Sequence, residues 1–454
     1  TIKGEVDLAG TKSASISGHI PRIMFGQSDV RESKIDISVG LQSGLRVSAD
    51  TYLVQESGHI NAKLNTSAKN DSVSNNLSFS MLNNVADANG ALDVSMGFEK
   101  DVSDNLVSNI SFNPTSINFN EKVISVLPST IVYEKDKITV NDFELRQDQM
   151  LLLGVDGVAS KRQEDFIRLF FNNTDIETIL AAFKIANLRG SINGGIIVNQ
   201  ALADPLIRTD NFRIENIHTQ TDTLGTLMVN GDWDLLKDGL SVYAGLNNKG
   251  KDYLTVNGFV PVGGDGPMDM NINVSDVPIS WVQPFAVSAF SKLSGSVNAK
   301  MNLSGKMDAI ETNGWLGVND AVMTLAFTNV TYKISDTINI SPQNIGLNNL
   351  VITDDNGNKA RLNLVLNHSN FDGMNYKVGL KLDDFLLLNN EKFTDQMAYG
   401  TLKLSGEINI DGSSSGIFGN ANLRNASRSK VMIELPQTAQ ATEYSVIIYI
   451  NTLQ

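Results

Sequence analysis

The sequence predicts an all-β protein, an elongated and repeat-built sheet with a few short helices. Three observations predict it. Polar and apolar residues alternate in stretch after stretch, Gly, Asn, Ser and Asp clusters separate the stretches, and a pattern returns at a spacing of about 105 residues. The alternation is cleanest inside Leu293 to Tyr332. Val297, Ala299, Met301 and Leu303 point one way and Ser296, Asn298, Lys300 and Asn302 the other, as a half-buried strand requires. Gly305 interrupts the run, Trp315, Leu316 and Val318 open a second strand, and Val322 to Val330 reads as a third.

Taken in order, residues 1–135 form a succession of alternating stretches, among them IKGEVDLAG, SKIDISVGLQ, GLRVSADTYLV, HINAKLN and GALDVSMGF. Nothing there has helical period. The polar members are largely Ser, Asn, Thr and Lys, so one face of this sheet is wet. From Ile138 to Phe171 the apolar content rises, through MLLLGVDGVAS and DFIRLFF. Asp175, followed by Ile176, Ile179, Leu180 and Phe183, fits a short amphipathic helix capped by Thr174 or Asp175. The order then repeats, with further strands, a second helix start at Ser275/Asp276 running to Phe285, and strands to the C-terminus. Pro278 fits a first helical turn and Pro284 an end. The sections expected are 1–173, 174–274, 275–383 and 384–454.

Composition narrows the function classes. The 454 residues are 41% hydrophobic, ample for a large core but too many for one compact domain. A formal net charge of -14 leaves no basic stripe of the kind that tracks phosphates, which argues against a nucleic-acid partner. Without cysteine there are no disulfides or thiolate metal sites. No run approaches the ~20 apolar residues of a membrane span. Because residue 1 is Thr and Ile2 to Leu8 is already strand-like, the chain reads as an excised or processed piece, with any anchor or signal outside it.

LRGSIN at Leu188–Asn193 and LSGSVN at Leu293–Asn298 lie 105 residues apart; Gly400 follows Gly295 by the same interval, although LSGEIN, six residues later, is the better match. Together with TDDNGNKARLNLVLNH, YKVGLKLDDFLLLNN, YGTLKLSGEINIDG and SRSKVMIELPQTAQATEY, this order resembles the C-terminal region of the TamB family, and more loosely the AsmA-like proteins, over roughly residues 140–450. The resemblance implies a β-taco, a long sheet bent into a U with an apolar groove. It also implies a periplasmic section of a bridge anchored in the inner membrane by a segment outside this chain. The expected partners are phospholipid acyl chains and an outer-membrane barrel protein of the TamA/BamA type. The implied work is phospholipid transport between inner and outer membranes and outer-membrane biogenesis, without enzymatic activity or cofactor. A scaffold for outer-membrane protein assembly by β-augmentation is the alternative.

The physics of the residues gives that reading its motive. Exposing acyl chain to water costs about 0.8 kcal/mol per CH₂, so a chain of about 14 carbons faces on the order of 11 kcal/mol, which a continuous apolar groove removes. With strands and turns of roughly 15 to 20 residues spaced about 4.8 Å apart, the sheet would extend on the order of 100 Å. The expected lining is Ile192, Ile196, Val198, Val297, Ala299, Met301, Leu303, Leu316, Val318, Leu362, Leu364, Leu366, Leu402, Leu404, Ile408 and Ile410. Periodicity alone fits an ordinary dry core at least as well, and the 13 Met residues fit gap filling as well as lipid lining. The two helix-like segments read as covers. Gly412-Ser413-Ser414-Ser415-Gly416 satisfies G-x-S-x-G but sits between two strands, where a hairpin is the natural reading. His19, His59, His218 and His368 show no metal-ligand spacing, and Asp354, Asn356 and Asn358 lack the Glu that would close a calcium loop, Val365 standing there instead. The apolar run in Glu443 to Ile450 reads as a strand that needs a partner.

Overall fold

A computed structural model describes residues 2–8, 10, 12–25, 28–55, 58–83, 87–120, 122–181, 187–262, 266–369, 372–391, 398–413, 416–426 and 429–433. Among these the chain forms 29 strands, one six-residue α-helix and one seven-residue 3₁₀-helix. The strands belong to one sheet, and every described ladder is antiparallel. The expectation of an all-β, sheet-built chain with few short helices holds. The chain divides into two compact units, residues 1–275 with 302–310, and residues 276–301 with 311–454.

In the first unit each strand pairs with the next, by a hairpin except that Phe166–Asp175 reaches Arg189–Asn199 through the helix Ile176–Ala181, and with one departure from sequence order. Between Asp87–Lys100 and Lys137–Gln147 two short pairs share one gap. Leu106–Phe112 with Ser129–Glu134 fills one end, and Thr115–Phe119 with Lys122–Val126 the other. In the second unit Ala309–Leu325, Thr331–Ile340, Asn344–Thr353, Lys359–Ser369, Asp372–Asn390, Ala398–Ser413 and Gly416–Asn425 pair in sequence order.

The recurring sequence pattern has a structural cause. At Asn173, Asp276, Asp320, Asn349 and Asp384 the backbone turns left-handed, with φ between 47° and 57°. Asn and Asp tolerate this conformation better than other residues with side chains. Four of these sites coincide with slips in ladder register, so they are β-bulges, where one residue loses its ladder partner. The freed amide finds a side chain on the neighbouring strand. Asn173 N–H donates to Asn193 Oδ1, Asp276 N–H to Asn298 Oδ1, Asp320 N–H to Ser335 Oγ, Asn349 N–H to Asn363 Oδ1 and Asp384 N–H to Ser405 Oγ, each at 2.8 Å. Asn193 and Asn298 close LRGSIN and LSGSVN. The glycine of LSGSVN, Gly295 at φ +104°, lies against the bulge at Asp320, and a Cβ there would stand 2.7 Å from Asp320 O and Ala321 Cα. The motif therefore encodes a bulge, its cap and the glycine that lets a neighbouring bulge approach.

Two elements differ from the sequence reading. Trp315 to Leu325 is one continuous strand and not the expected two, because a capped bulge at Asp320 keeps the ladder going between Val318 and Val322. The second helix starts later than Ser275/Asp276: the strand Met268–Pro278 runs through the left-handed Asp276 and hands over to a 3₁₀-helix, Ile279–Phe285, whose N-cap Pro278 has no side-chain cap. The first helix, Ile176–Ala181, does carry the expected cap, with Asp175 Oδ1 accepting the Glu177 N–H at 2.9 Å.

Ser405 is buried, so Ser405→Ala strands the Asp384 amide away from water. The expected loss is about 1–3 kcal/mol of local stability, read as faster amide exchange across 380–388. Asn193→Ala, whose bonded amide is exposed, should lose under about 1 kcal/mol. Unchanged exchange in Ser405→Ala would mean the caps carry no weight.

Candidate functional site

Ladder register assembles the alternating side chains into rows that run across the strands, and the rows of the two faces differ in kind. In the first unit Val6 faces Ala14, and the row continues through Val39, Leu45, Ala68, Val73, Met96 and Ile110. Ile131, Val140, Gly157, Ile167, Val198 and Ile207 complete it. Fourteen strands contribute, and none places a polar side chain. One residue along, the opposite face gives Glu5, Ser15, Ser38, Arg46, Ser67, Ser74, Ser95, Ser111, Thr130 and Asn141, without one apolar side chain. At about 4.8 Å per strand the apolar row is roughly 60 Å long.

Burial along the row is graded. Val6, Val39 and Leu45 are exposed, the residues from Ala68 to Ile131 are half-buried, and Val140 is buried. The helix Ile176–Ala181 adds cover near that end. Ile176 and Thr178 are buried, and Thr178 Oγ1 donates to Gln147 Oε1 at 2.6 Å and accepts Lys122 Nζ at 2.9 Å.

The expected lining residues of this unit join the apolar face. Val198 belongs to the long row, and Ile196 lies between Leu169 and Thr209. Ile192 begins a further row through Ile214, Leu227, Leu246, Leu254 and Val274. Ile192 is buried and the other two half-buried. Leu303 is half-buried on the strand Phe290–Lys306. Sequence reasoning named no lining residue before Ile192, although the strict alternation of residues 1–135 carried the signal.

In the second unit Leu364 stands between Leu347 and Val378, and Val378 faces Ile410; Leu362 stands between Leu350 and Leu380, and Leu380 faces Ile408; Leu366 stands between Ile345 and Tyr376. Leu316 faces Ile338, but Val318 faces Asp336, so the apolar run is broken there. Val297 and Met301 are half-buried and Ala299 is buried. Leu402 and Leu404 face Leu388 and Phe385, and this side of the face is sealed.

The seal is a cluster of Val330, Tyr332, Ala360, Leu382, Phe385 and Leu386, against which Leu404 and Ile408 pack. The Tyr332 and Phe385 rings stack with centroids 5.2 Å apart. Tyr332 donates its hydroxyl to Leu386 O at 3.0 Å, and buried Asp354 accepts the amides of Leu386, Asn356 and Asn358 at 2.8–2.9 Å. The Asp354–Asn358 segment thus closes a hairpin and fixes the cluster from below. Burial, then the carboxylates of Asp354 and Asp355, push the Tyr332 phenol up to about 12. Nothing in the primary sequence marks this contact between residues 54 apart.

Other polar groups are accounted for locally. Arg22 and Arg31 converge on Asp29 at 2.6–3.0 Å and, mainly through those hydrogen bonds, hold its carboxyl down at about 2. His19 pairs with Glu32, His59 packs on Tyr52, and His218 Nδ1 lies 2.7 Å from Asn216 O. The side chain of His368, Ser414 and Ser415 of the G-x-S-x-G stretch, and residues 443–450, expected as a strand, lie outside the described residues. Ser413 and Gly416 face each other across antiparallel strands, the hairpin arrangement expected. Among the described residues no group of three His, Asp or Glu could hold a metal ion, and no helix is long and apolar enough to cross a membrane.

No family model, curated protein or solved structure matches this chain.

Tyr332 supplies a pH test of the seal. Its folded pKa is raised, so its contribution is complete below about pH 10, the unfolded value, and is lost as pH rises toward 12. The wild type should lose more stability between pH 10 and 12 than Tyr332→Phe, measured by melting at fixed ionic strength. Parallel losses would contradict a buried, neutral phenol.

Proposed function

We propose that this chain is a section of a TamB-like bridge in which the sheet folds over as a β-taco and its apolar face forms a groove for phospholipid acyl chains. Its place is the periplasm, tied to the inner membrane by a segment outside this chain. It works with an outer-membrane barrel of the TamA/BamA type in moving phospholipid between the membranes and in outer-membrane biogenesis.

One observation carries the reading, the apolar row that crosses fourteen strands while its neighbour on the other face is polar over the first ten of them, from Glu5 to Asn141. A sheet must cover such a face, and among the described residues two covers are local, the helix at Ile176–Ala181 and the cluster around Tyr332. Away from them, members of the row such as Val39 and Leu45 are exposed, and Leu364 and Ile410, in a row of the second unit, are half-buried. An acyl chain laid along such rows trades water for hydrocarbon contact at about 25 cal/mol per Å², and rows without polar interruptions present no barrier to sliding. The break at Val318 and Asp336 gives that path a local obstacle.

The assembly scaffold remains the second reading, favoured by the strand Gly416–Asn425. It is exposed along nearly its whole length and pairs with Ala398–Ser413 alone among the described strands, which leaves an edge for strand addition. A scaffold would keep its partner when the apolar face is charged and lose it when this edge is blocked.

The conduit reading predicts co-purifying phospholipid, detected by native mass spectrometry and solvent extraction. Met301→Asp with Leu364→Asp, in protein that keeps its β circular dichroism, should remove most of it. Full retention of lipid in the folded double variant would overturn the reading.

A further inference from the structure

We propose that the polar face of the second unit carries a binding site for phosphate-bearing polyanions. A depression of about 790 Å³ opens there, lined by Lys359, Arg361, Lys381 and Arg424 together with Asp383 and Glu407. Four cations against two carboxylates is a local excess in a chain of net charge -14. The site lies on the opposite side of the strands from the apolar rows, so it stands independently of the conduit reading.

Register makes the excess pointed. Arg361 and Lys381 face each other directly on adjacent strands, with Cβ atoms about 5 Å apart. Like charges in that position oppose folding unless a counter-charge joins them. One residue pair along the same two strands the polar face shows the neutral alternative, Asn363 against Gly379. Glu407 answers Lys381 at 3.3 Å, but both groups are solvent-exposed, so the pair is weak. Among the described residues Arg361 donates only to Asn349 Oδ1, at 3.1 Å, which leaves most of its five donors open. Arg424 makes no side-chain hydrogen bond or ion pair with any described residue. The open Arg361 guanidinium beside two ammonium groups, with the open Arg424 guanidinium two strands beyond Lys381, suits tetrahedral oxyanions, which arginine grips in a fork and lysine neutralises as a point charge. Arg424 stands three strands from Lys359 and Arg361, so a strand spacing of about 4.8 Å and a two-residue repeat of about 6.8 Å spread the four cations over roughly 15 Å. That span fits linked or paired phosphates better than a single one. Such groups occur on soluble polyphosphates and on anionic lipid headgroups.

The test uses the full chain and two probes. Tripolyphosphate is titrated by calorimetry at low and high salt, and vesicles of phosphatidylcholine with or without phosphatidylglycerol are used in flotation. Binding to either probe should weaken with salt and fall at least about tenfold in the triple variant Arg361→Gln, Lys381→Gln, Arg424→Gln, since several charge-assisted contacts are lost together. Lys63→Gln, on the polar face of the first unit, should leave it unchanged. Glu407→Gln, which removes a local carboxylate, should tighten it severalfold and serves if the triple variant does not fold. Tripolyphosphate binding would identify the phosphate group itself as sufficient, and binding confined to phosphatidylglycerol vesicles would identify the lipid headgroup. No binding to either probe, or binding indifferent to both the triple variant and Glu407→Gln, would overturn the proposal.

Discussion

The two-residue period of an extended chain is the constraint on which everything else here depends. Each strand has one apolar and one polar side, and a slip of one residue in any ladder would exchange them. In this protein the exchange would place Ser38, Ser67, Ser74 and Ser95 where Val39, Ala68, Val73 and Met96 stand. The continuity of the rows is therefore a statement about register in every successive hairpin. The bulges change the register in a controlled way. Each inserts a residue at a left-handed Asn or Asp, and a side-chain oxygen on the next strand takes the amide that the ladder gives up. Alternation resumes on the correct face beyond it, as Leu382 and then Phe385 both stay with the apolar cluster.

Sequence legibility follows from the range of the forces involved. Strand identity and facing were legible because they depend on residues two apart, and Ile192, Val198, Leu362, Leu364, Leu366, Ile408 and Ile410 take their places in apolar rows. The repeated LRGSIN and LSGSVN were legible as a repeat but not as a cap, since the residue that Asn298 serves, Asp276, lies 22 positions earlier. The strand around Asp320 read as two, Trp315 to Val318 and Val322 to Val330, for the same reason: a left-handed Asp serves equally in a turn and in a bulge, and Ser335 on the next strand decides between them. The seal around Tyr332 and Phe385 and the facing of Arg361 against Lys381 needed the ladder itself. Charge totals hid the latter, because a net value of -14 averages over a face where cations gather.

The two faces divide the chemistry available to the chain. The apolar face offers surface without direction, suited to a ligand that must be held and released along a length. The polar face is mostly Ser, Asn and Thr in the first unit and gathers charge in the second. Sealing is local, at the helix Ile176–Ala181 and at the Tyr332 cluster, where aromatic stacking and the Asp354 hydrogen bonds make a fixed floor.

The most direct measurement places a photoreactive benzoylphenylalanine at neighbouring positions on opposite faces, Leu45 against Arg46 and Leu364 against Asn363, and identifies adducts by mass spectrometry after irradiation with phospholipid vesicles. The account predicts lipid adducts at positions 45 and 364 and none at 46 and 363. Equal labelling of both faces, or no adduct at 45 and 364 in folded protein, would contradict it.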